Sequence, residues 1–173
     1  MVRQIALLLP LIFAVGTAMA EDDQPFSNWF NDPFFQVRDG VAACPVPLGP
    51  LLPLSQRNAE AHYRVERGTS CWLEGKCDKA NAYLYDAPIG EAIRQRFSQS
   101  PQFHDSSLWI TVQRKFVMVQ GCAQEADVGA QIEALINTVP DVERVILQLV
   151  SSPQEKPPYL LAPTPPKVPN VTE

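Results

Sequence analysis

The sequence predicts an α+β protein: one α-β-β-α-β domain, a three-stranded sheet covered by two helices, behind an irregular, partly helical N-terminal segment held by disulfides. Three observations carry that expectation. Residues 83–150 switch between helix-period and strand-period apolar patterns. Residues 21–82 hold turns and aromatics with little periodicity, and residues 151–173 place seven prolines in 23 positions. The corresponding division is residues 1–20, 21–80, 81–151 and 152–173.

Residues 1–20 read as a cleaved secretory signal peptide. Arg3 supplies the positive start, residues 5–15 are almost wholly apolar, and Ala18-Met19-Ala20 sets small residues before a cut between Ala20 and Glu21. The apolar run is shorter than the roughly 20 residues that span a bilayer. Nothing later in the chain is a candidate span, so the expected product is an exported, soluble protein, in a periplasm or peripheral to a membrane. Without residues 1–20 the chain carries 13 Lys+Arg against 19 Asp+Glu, a formal charge of −6. That balance argues against nucleic acid, whose affinity rests on phosphate neutralisation.

All four cysteines, Cys44, Cys71, Cys77 and Cys122, lie beyond the cleavage point. An even count in an exported chain reads as two disulfides with three possible connectivities. Gly75 lets the chain from Cys71 fold back to Cys77. This favours Cys71–Cys77 and leaves Cys44 to tie the N-terminal segment to Cys122. A four-thiolate zinc site lacks the close cysteine pairs such sites use.

In the N-terminal segment, Phe26, Trp29, Phe30, Phe34 and Phe35 form an aromatic cluster. Its simplest reading is an arm lying on the folded domain; the alternative is a partner-binding segment. Pro45, Pro47, Pro50 and Pro53 exclude helix and central strand. Ser55 then caps an expected helix over 56–67 that ends before Gly68. Its polar face, Arg64 included, is expected to be solvated, with His62 and Tyr63 turned inward. Thr69-Ser70 can cap a further short turn.

The second region is more regular. Asp86 is expected to cap a helix over 87–98, whose face is Ile89, Ile93 and Phe97. Strands follow over 108–112 and 116–119, joined by Gln113-Arg114-Lys115, with Gly121 ending the second. A helix over 124–139 presents Val128, Ile132, Leu135, Ile136 and Val139, with Glu125 and Asp127 in its first turn. Pro140-Asp141 breaks the chain, and a strand over 142–149 alternates Val145, Leu147 and Leu149 inward. The Pro-rich tail over 152–173 is expected to be extended or disordered.

The stretch SSLWITVQRKFVMVQGCAQEADVGAQIEALINTVPDVERVILQLV resembles a BON domain, a module of bacterial osmotically induced periplasmic proteins. The resemblance rests on the hairpin ending in Val119-Gln120-Gly121, the amphipathic helix, and the turn Val139-Pro140-Asp141-Val142 into the last strand. With the preceding helix it covers about residues 81–151. Arg114-Lys115 and Pro140-Asp141 stand at turns where members often carry glycine. The resemblance implies a role in the cell envelope through binding phospholipid or another envelope component, and it transfers no individual site residues.

Reactive motifs are otherwise sparse. No phosphate-binding glycine loop, zincin helix or nucleophile elbow occurs. Cys122 with His104 could form a nucleophilic pair only if Cys122 were not oxidised. Asp78, Asp86 and Glu91 are accounted for by turn, cap and solvated face. The expectation is therefore a non-enzymatic protein without metal or cofactor. An anion or headgroup patch is expected from Arg94, Arg96, Arg114 and Lys115 with Trp109. Two alternatives stand beside it: an adaptor for an envelope protein complex using the aromatic arm or the tail, and a thiol- or metal-dependent activity on the four cysteines.

Overall fold

The computed structural model describes residues 26–66, 69–125 and 127–163; the expected signal peptide and cleavage site, Gly68 and residues 164–173 lie outside the described residues. Among them the chain forms β1 (Phe26–Ser27), β2 (Phe34–Asp39), β3 (Leu52–Pro53), α1 (Leu54–Val65), α2 (Thr69–Leu73), a 3-10 turn (Ala82–Tyr85), α3 (Asp86–Gln99), β4 (Ser106–Gln113), β5 (Phe116–Ala123), α4 (Val128–Ile136) and β6 (Arg144–Val150). The α+β class and the order α3-β4-β5-α4-β6 follow the periodicity of the sequence.

The sheet has four strands rather than three, in the order β2-β4-β5-β6. β4 and β5 form the hairpin, β6 returns through α4 to lie parallel to β5, and β2 adds antiparallel to β4. The fourth strand comes from the segment expected to be irregular. The aromatic arm is thus part of the fold. Phe35 enters the main core, and the Trp29 indole donates to the Leu52 carbonyl at 2.8 Å.

Alternation along the strands explains both layers. Leu108, Ile110, Val112, Val117 and Val119 face the helices and meet Ile89, Ile93, Phe97, Ile132 and Ile136 in one core. On the other face, Trp109, Cys122 and Val150 pack with Val41 and Cys44. This second face is covered by residues 40–50 and by the start of the tail. The Leu48 N–H donates to the Leu160 carbonyl at 2.7 Å, the Ala162 N–H to Val46 at 3.0 Å, and the Tyr159 hydroxyl to Pro45 at 2.9 Å. Residues 152–163 are therefore an ordered strap, not a free tail. Cys44–Cys122 and Cys71–Cys77 are both bonded, and the first pins the segment of residues 40–50, on which the strap lies, to β5.

Several boundaries differ from the sequence pattern for identifiable reasons. α1 begins at Leu54 behind Pro53, and Ser55 lies inside the helix without capping it. His62 is exposed beside Glu66, whereas Arg64, expected in solvent, is the buried residue of α1. Glu125 and Asp127 precede α4, which is only nine residues long. Gly121 lies within β5, not at its end. It has φ +139°, and a Cβ there would sit 1.9 Å from the Ser107 carbonyl oxygen, so only glycine lets the two strands approach.

Arg64 organises the N-terminal half. Its guanidinium pairs with both carboxylate oxygens of Asp32, at 2.6 and 2.5 Å, and with Glu60 at 2.9 Å. It lies 4.1 Å from the ring centres of both Phe30 and Tyr83. Gln113 at the end of β4 also donates to Asp32, at 2.6 Å. Burial opposes the charge on Arg64, but the bond to Asp32 and its charge outweigh burial and raise the pKa. Burial pushes the neighbouring Tyr83 phenol up to about 12, against the opposing pull of Arg64.

Two stability changes follow. Replacing both Cys44 and Cys122 by serine removes a link across 78 residues; equilibrium denaturation should register a loss of about 4 kcal/mol in the chain-entropy account. Arg64→Ala leaves the Asp32 carboxylate buried and unpaired, and the same measurement should show a loss of about 3–5 kcal/mol. An Asp32→Asn, Arg64→Met double variant should recover part of it, because no lone charge then remains at position 32, although the half-buried Glu60 still loses its partner.

Candidate binding cleft at the hairpin tip

The hairpin between β4 and β5 turns on two residues that rarely adopt left-handed backbone. Arg114 and Lys115 have φ of +56° and +67°, the conformation of a tight two-residue turn otherwise favouring Asn-Gly. Asp86 supplies the compensation. Its carboxylate accepts the Arg114 N–H through Oδ2 and the Lys115 N–H through Oδ1, both at 2.8 Å. Asp86 thus caps the hairpin rather than α3, at whose start it sits. It is 2% exposed. Burial pushes its pKa up, against the lowering effect of the two amide bonds.

The turn side chains are directed by aromatic rings. Arg114 donates to the Tyr63 hydroxyl at 2.7 Å and lies 5.2 Å from the Phe116 ring centre. The ammonium groups of Lys115 and Lys79 each lie 4.8 Å from the ring centre of Tyr85. Lys79 also donates through Nζ to the Leu84 carbonyl at 3.0 Å, and its backbone N–H reaches the Tyr85 hydroxyl at 3.0 Å. Such ring–cation contacts hold a charge in place at modest cost in hydration.

Together these groups line an open cleft of about 270 Å³ whose wall is the Cys71–Cys77 disulfide, with Lys79, Tyr85, Arg114, Lys115 and Glu143 around it. The three cations face the Glu143 carboxylate in the lining, Asp141 lies 3.9 Å from the Lys115 ammonium, and the disulfide fixes the rim beside Lys79. The same loop exposes Trp72 and Leu73, which are 47% and 78% accessible. The arrangement suits a small anionic group with apolar surface next to it.

The patch expected from the sequence is therefore split. Arg114 and Lys115 come together at the cleft. Arg94 instead stacks 3.5 Å from the Phe35 ring centre, and Arg96 is exposed in the last turn of α3. Trp109 lies on the opposite side of the sheet, packed with the Cys44–Cys122 cluster. Lys79 and Tyr85 were missed. Their only sequence signal is proximity to Cys77, and no spacing rule joins residue 79 to residue 115. His104 is exposed, and Cys122, bonded to Cys44, has no thiolate to pair with it.

No family model, curated protein or solved structure matches this chain.

The raised pKa of Asp86 fixes the sign of a pH effect. A carboxyl held above its unfolded value contributes stability that is full below that value and is lost as pH rises through the folded value. Asn at this position cannot titrate. The stability difference between wild type and Asp86→Asn should therefore shrink from about pH 3.5 to pH 7 in paired denaturation series, and a gap that widens would reverse the assignment.

Proposed function

We propose that the chain is a non-enzymatic, exported protein of the cell envelope, working in a bacterial periplasm. Its BON-like domain binds an anionic envelope component, a phospholipid headgroup being the leading candidate. The observation carrying this reading is the convergence of Lys79, Arg114 and Lys115 on one cleft beside the exposed Trp72-Leu73 tip. Two bonded disulfides are compatible with export. No helix among the described residues is long and apolar enough to cross a membrane.

The two alternatives fare differently. With both cysteine pairs bonded, none of the four sulfurs offers a thiolate to a metal or a substrate. The adaptor reading keeps only part of its suggested handles among the described residues: Phe35 is in the core and residues 157–162 pack on residues 45–48, whereas Phe26 is exposed.

Flotation with phosphatidylglycerol-containing vesicles at low salt tests the lipid reading. The purified chain should float, and raising salt should release it as the surface attraction is screened. Lys79→Ala with Lys115→Gly keeps the turn, since glycine accepts its backbone, and should weaken binding by on the order of tenfold or more. An absence of binding to these vesicles at low salt removes phospholipid as the ligand.

A further inference from the structure

The two edges of the sheet are built differently. On β2 the pairing with β4 slips between Gln36 and Arg38. Arg38 then reaches away to the end of α3, donating to the carbonyls of Phe97, Ser100 and Gln102 at 2.7–2.9 Å. A bulge, charges and a tether are the usual means of closing an edge strand to further pairing. On β6 the bulge and the tether are missing, and its one charge, Arg144, stands at the first position. Its seven residues run in unbroken parallel register with β5, and Val145-Ile146-Leu147-Gln148-Leu149 contains no charge and no proline. These five residues are only partly buried, unlike β4, and among the described residues no strand pairs with the outer edge. Beside the end of β6 opens a groove of about 450 Å³, lined by Val128, Gly129, Leu147, Leu149 and Glu155.

We propose that the outer edge of β6 is a self-association surface, pairing antiparallel with β6 of a second copy into a continuous eight-stranded sheet. Identical edges meeting across a two-fold axis close on themselves and leave no growing end. Centring the axis on Leu147 sets all seven residues opposite one another. Val145 then faces Leu149 on the helix side of both copies, and Ile146 faces Gln148 on the other. On the helix side apolar residues meet across the seam, Val145 with Leu149 and Leu147 with its own copy, which favours cross-strand pairing. Charge selects the same occupant. Arg144, exposed at the start of β6, comes opposite Val150 and the turn that follows it, where Glu155 is exposed. The two-fold creates this opposite-charge pairing twice. The edge thus carries its own complement, which an unrelated strand would have to match by chance.

Sedimentation equilibrium on the full signal-cleaved chain, from about 1 to about 100 µM, should show a monomer–dimer equilibrium. Arg144→Glu and Glu155→Arg should each weaken it by about three- to tenfold, and combining them should restore it, because the charges are exchanged rather than lost. Ile146→Lys should abolish the dimer. Hydrogen exchange should show β6 amides gaining protection as wild-type concentration rises. A monomer at every concentration overturns the proposal, as does a dimer unaffected by Ile146→Lys and by both charge reversals. A chain ending at residue 163 that dimerises where the full chain does not also overturns it, by assigning the edge to residues 164–173. The exposed charge exchanges keep the test decisive if Ile146→Lys fails to fold.

Discussion

Strand β4 is buried on both faces, and most of the remaining architecture answers that constraint. From Ser106 to Val112 every residue is buried. Helices α3 and α4 cover one side. A hydrophobic second side left in water would forfeit roughly 1.5–3 kcal/mol for each large apolar side chain. Among the described residues no helix covers it, and irregular chain does the work. Residues 40–50 and 157–162 cross that face, and their backbone groups bond to one another, as buried peptide groups must. Cys44–Cys122 fixes this layer where Trp109 needs it. The disulfide is more than a staple on a finished domain, because it holds the second wall of the core.

The N-terminal half solves a different problem. Its helix α1 has no continuous apolar stripe, so hydrophobic packing alone would not fix its position. Buried polar groups do so instead. Arg64 gathers Asp32, Glu60, Phe30 and Tyr83, and Asp32 reaches β4 through Gln113. A lone buried guanidinium would be costly, but one that is paired twice and stacked twice specifies a single arrangement. Asp86 does the same at the hairpin, replacing a glycine's conformational freedom with two amide bonds. The candidate cleft is a by-product of these two anchors. Arg64 and Asn81 hold residues 81–85 near α1, Asp86 holds the turn, and Tyr85 brings Lys79 and Lys115 together.

What was legible in the sequence follows from the range of each interaction. The helices and strands of residues 86–150 repeat their apolar residues at fixed spacing, so their type and order could be read, with ends displaced by a few residues. The pairing of cysteines could be reasoned from one glycine and an even count. β2 could not be read, since Phe34-Phe35-Gln36-Val37-Arg38-Asp39 alternates weakly and becomes a strand only against β4. Arg64 looked solvated because its neighbours along α1 are polar, and its partner Asp32 lies 32 residues away. The strap looked disordered because proline excludes regular structure, which is not the same as excluding order. Of the cleft, the turn residues 114 and 115 were legible, while Lys79 and Tyr85 depend on a contact no local pattern encodes.

These relations also redraw the folding unit. Periodicity isolates residues 81–151, yet a chain cut to those limits would lack Phe35 from the helix-side core and Cys44 from the other face. Trp109, 8% exposed in the intact chain, would lose the layer containing Val41, Cys44 and Pro47. The β4 edge would also lose its partner β2, presenting open backbone beside β-rich sequence. Both consequences favour association over independent folding. The cooperative unit is therefore the chain from about residue 26 to residue 162, with the first Pro-rich stretch and the start of the second inside it. The regular domain supplies three strands of the sheet, and the irregular segments supply one strand, one wall and Lys79, one of the cleft's three cations. Any function assigned to the hairpin tip belongs to that larger unit, because Lys79 and the disulfide wall lie outside the segment whose periodicity first defined the domain.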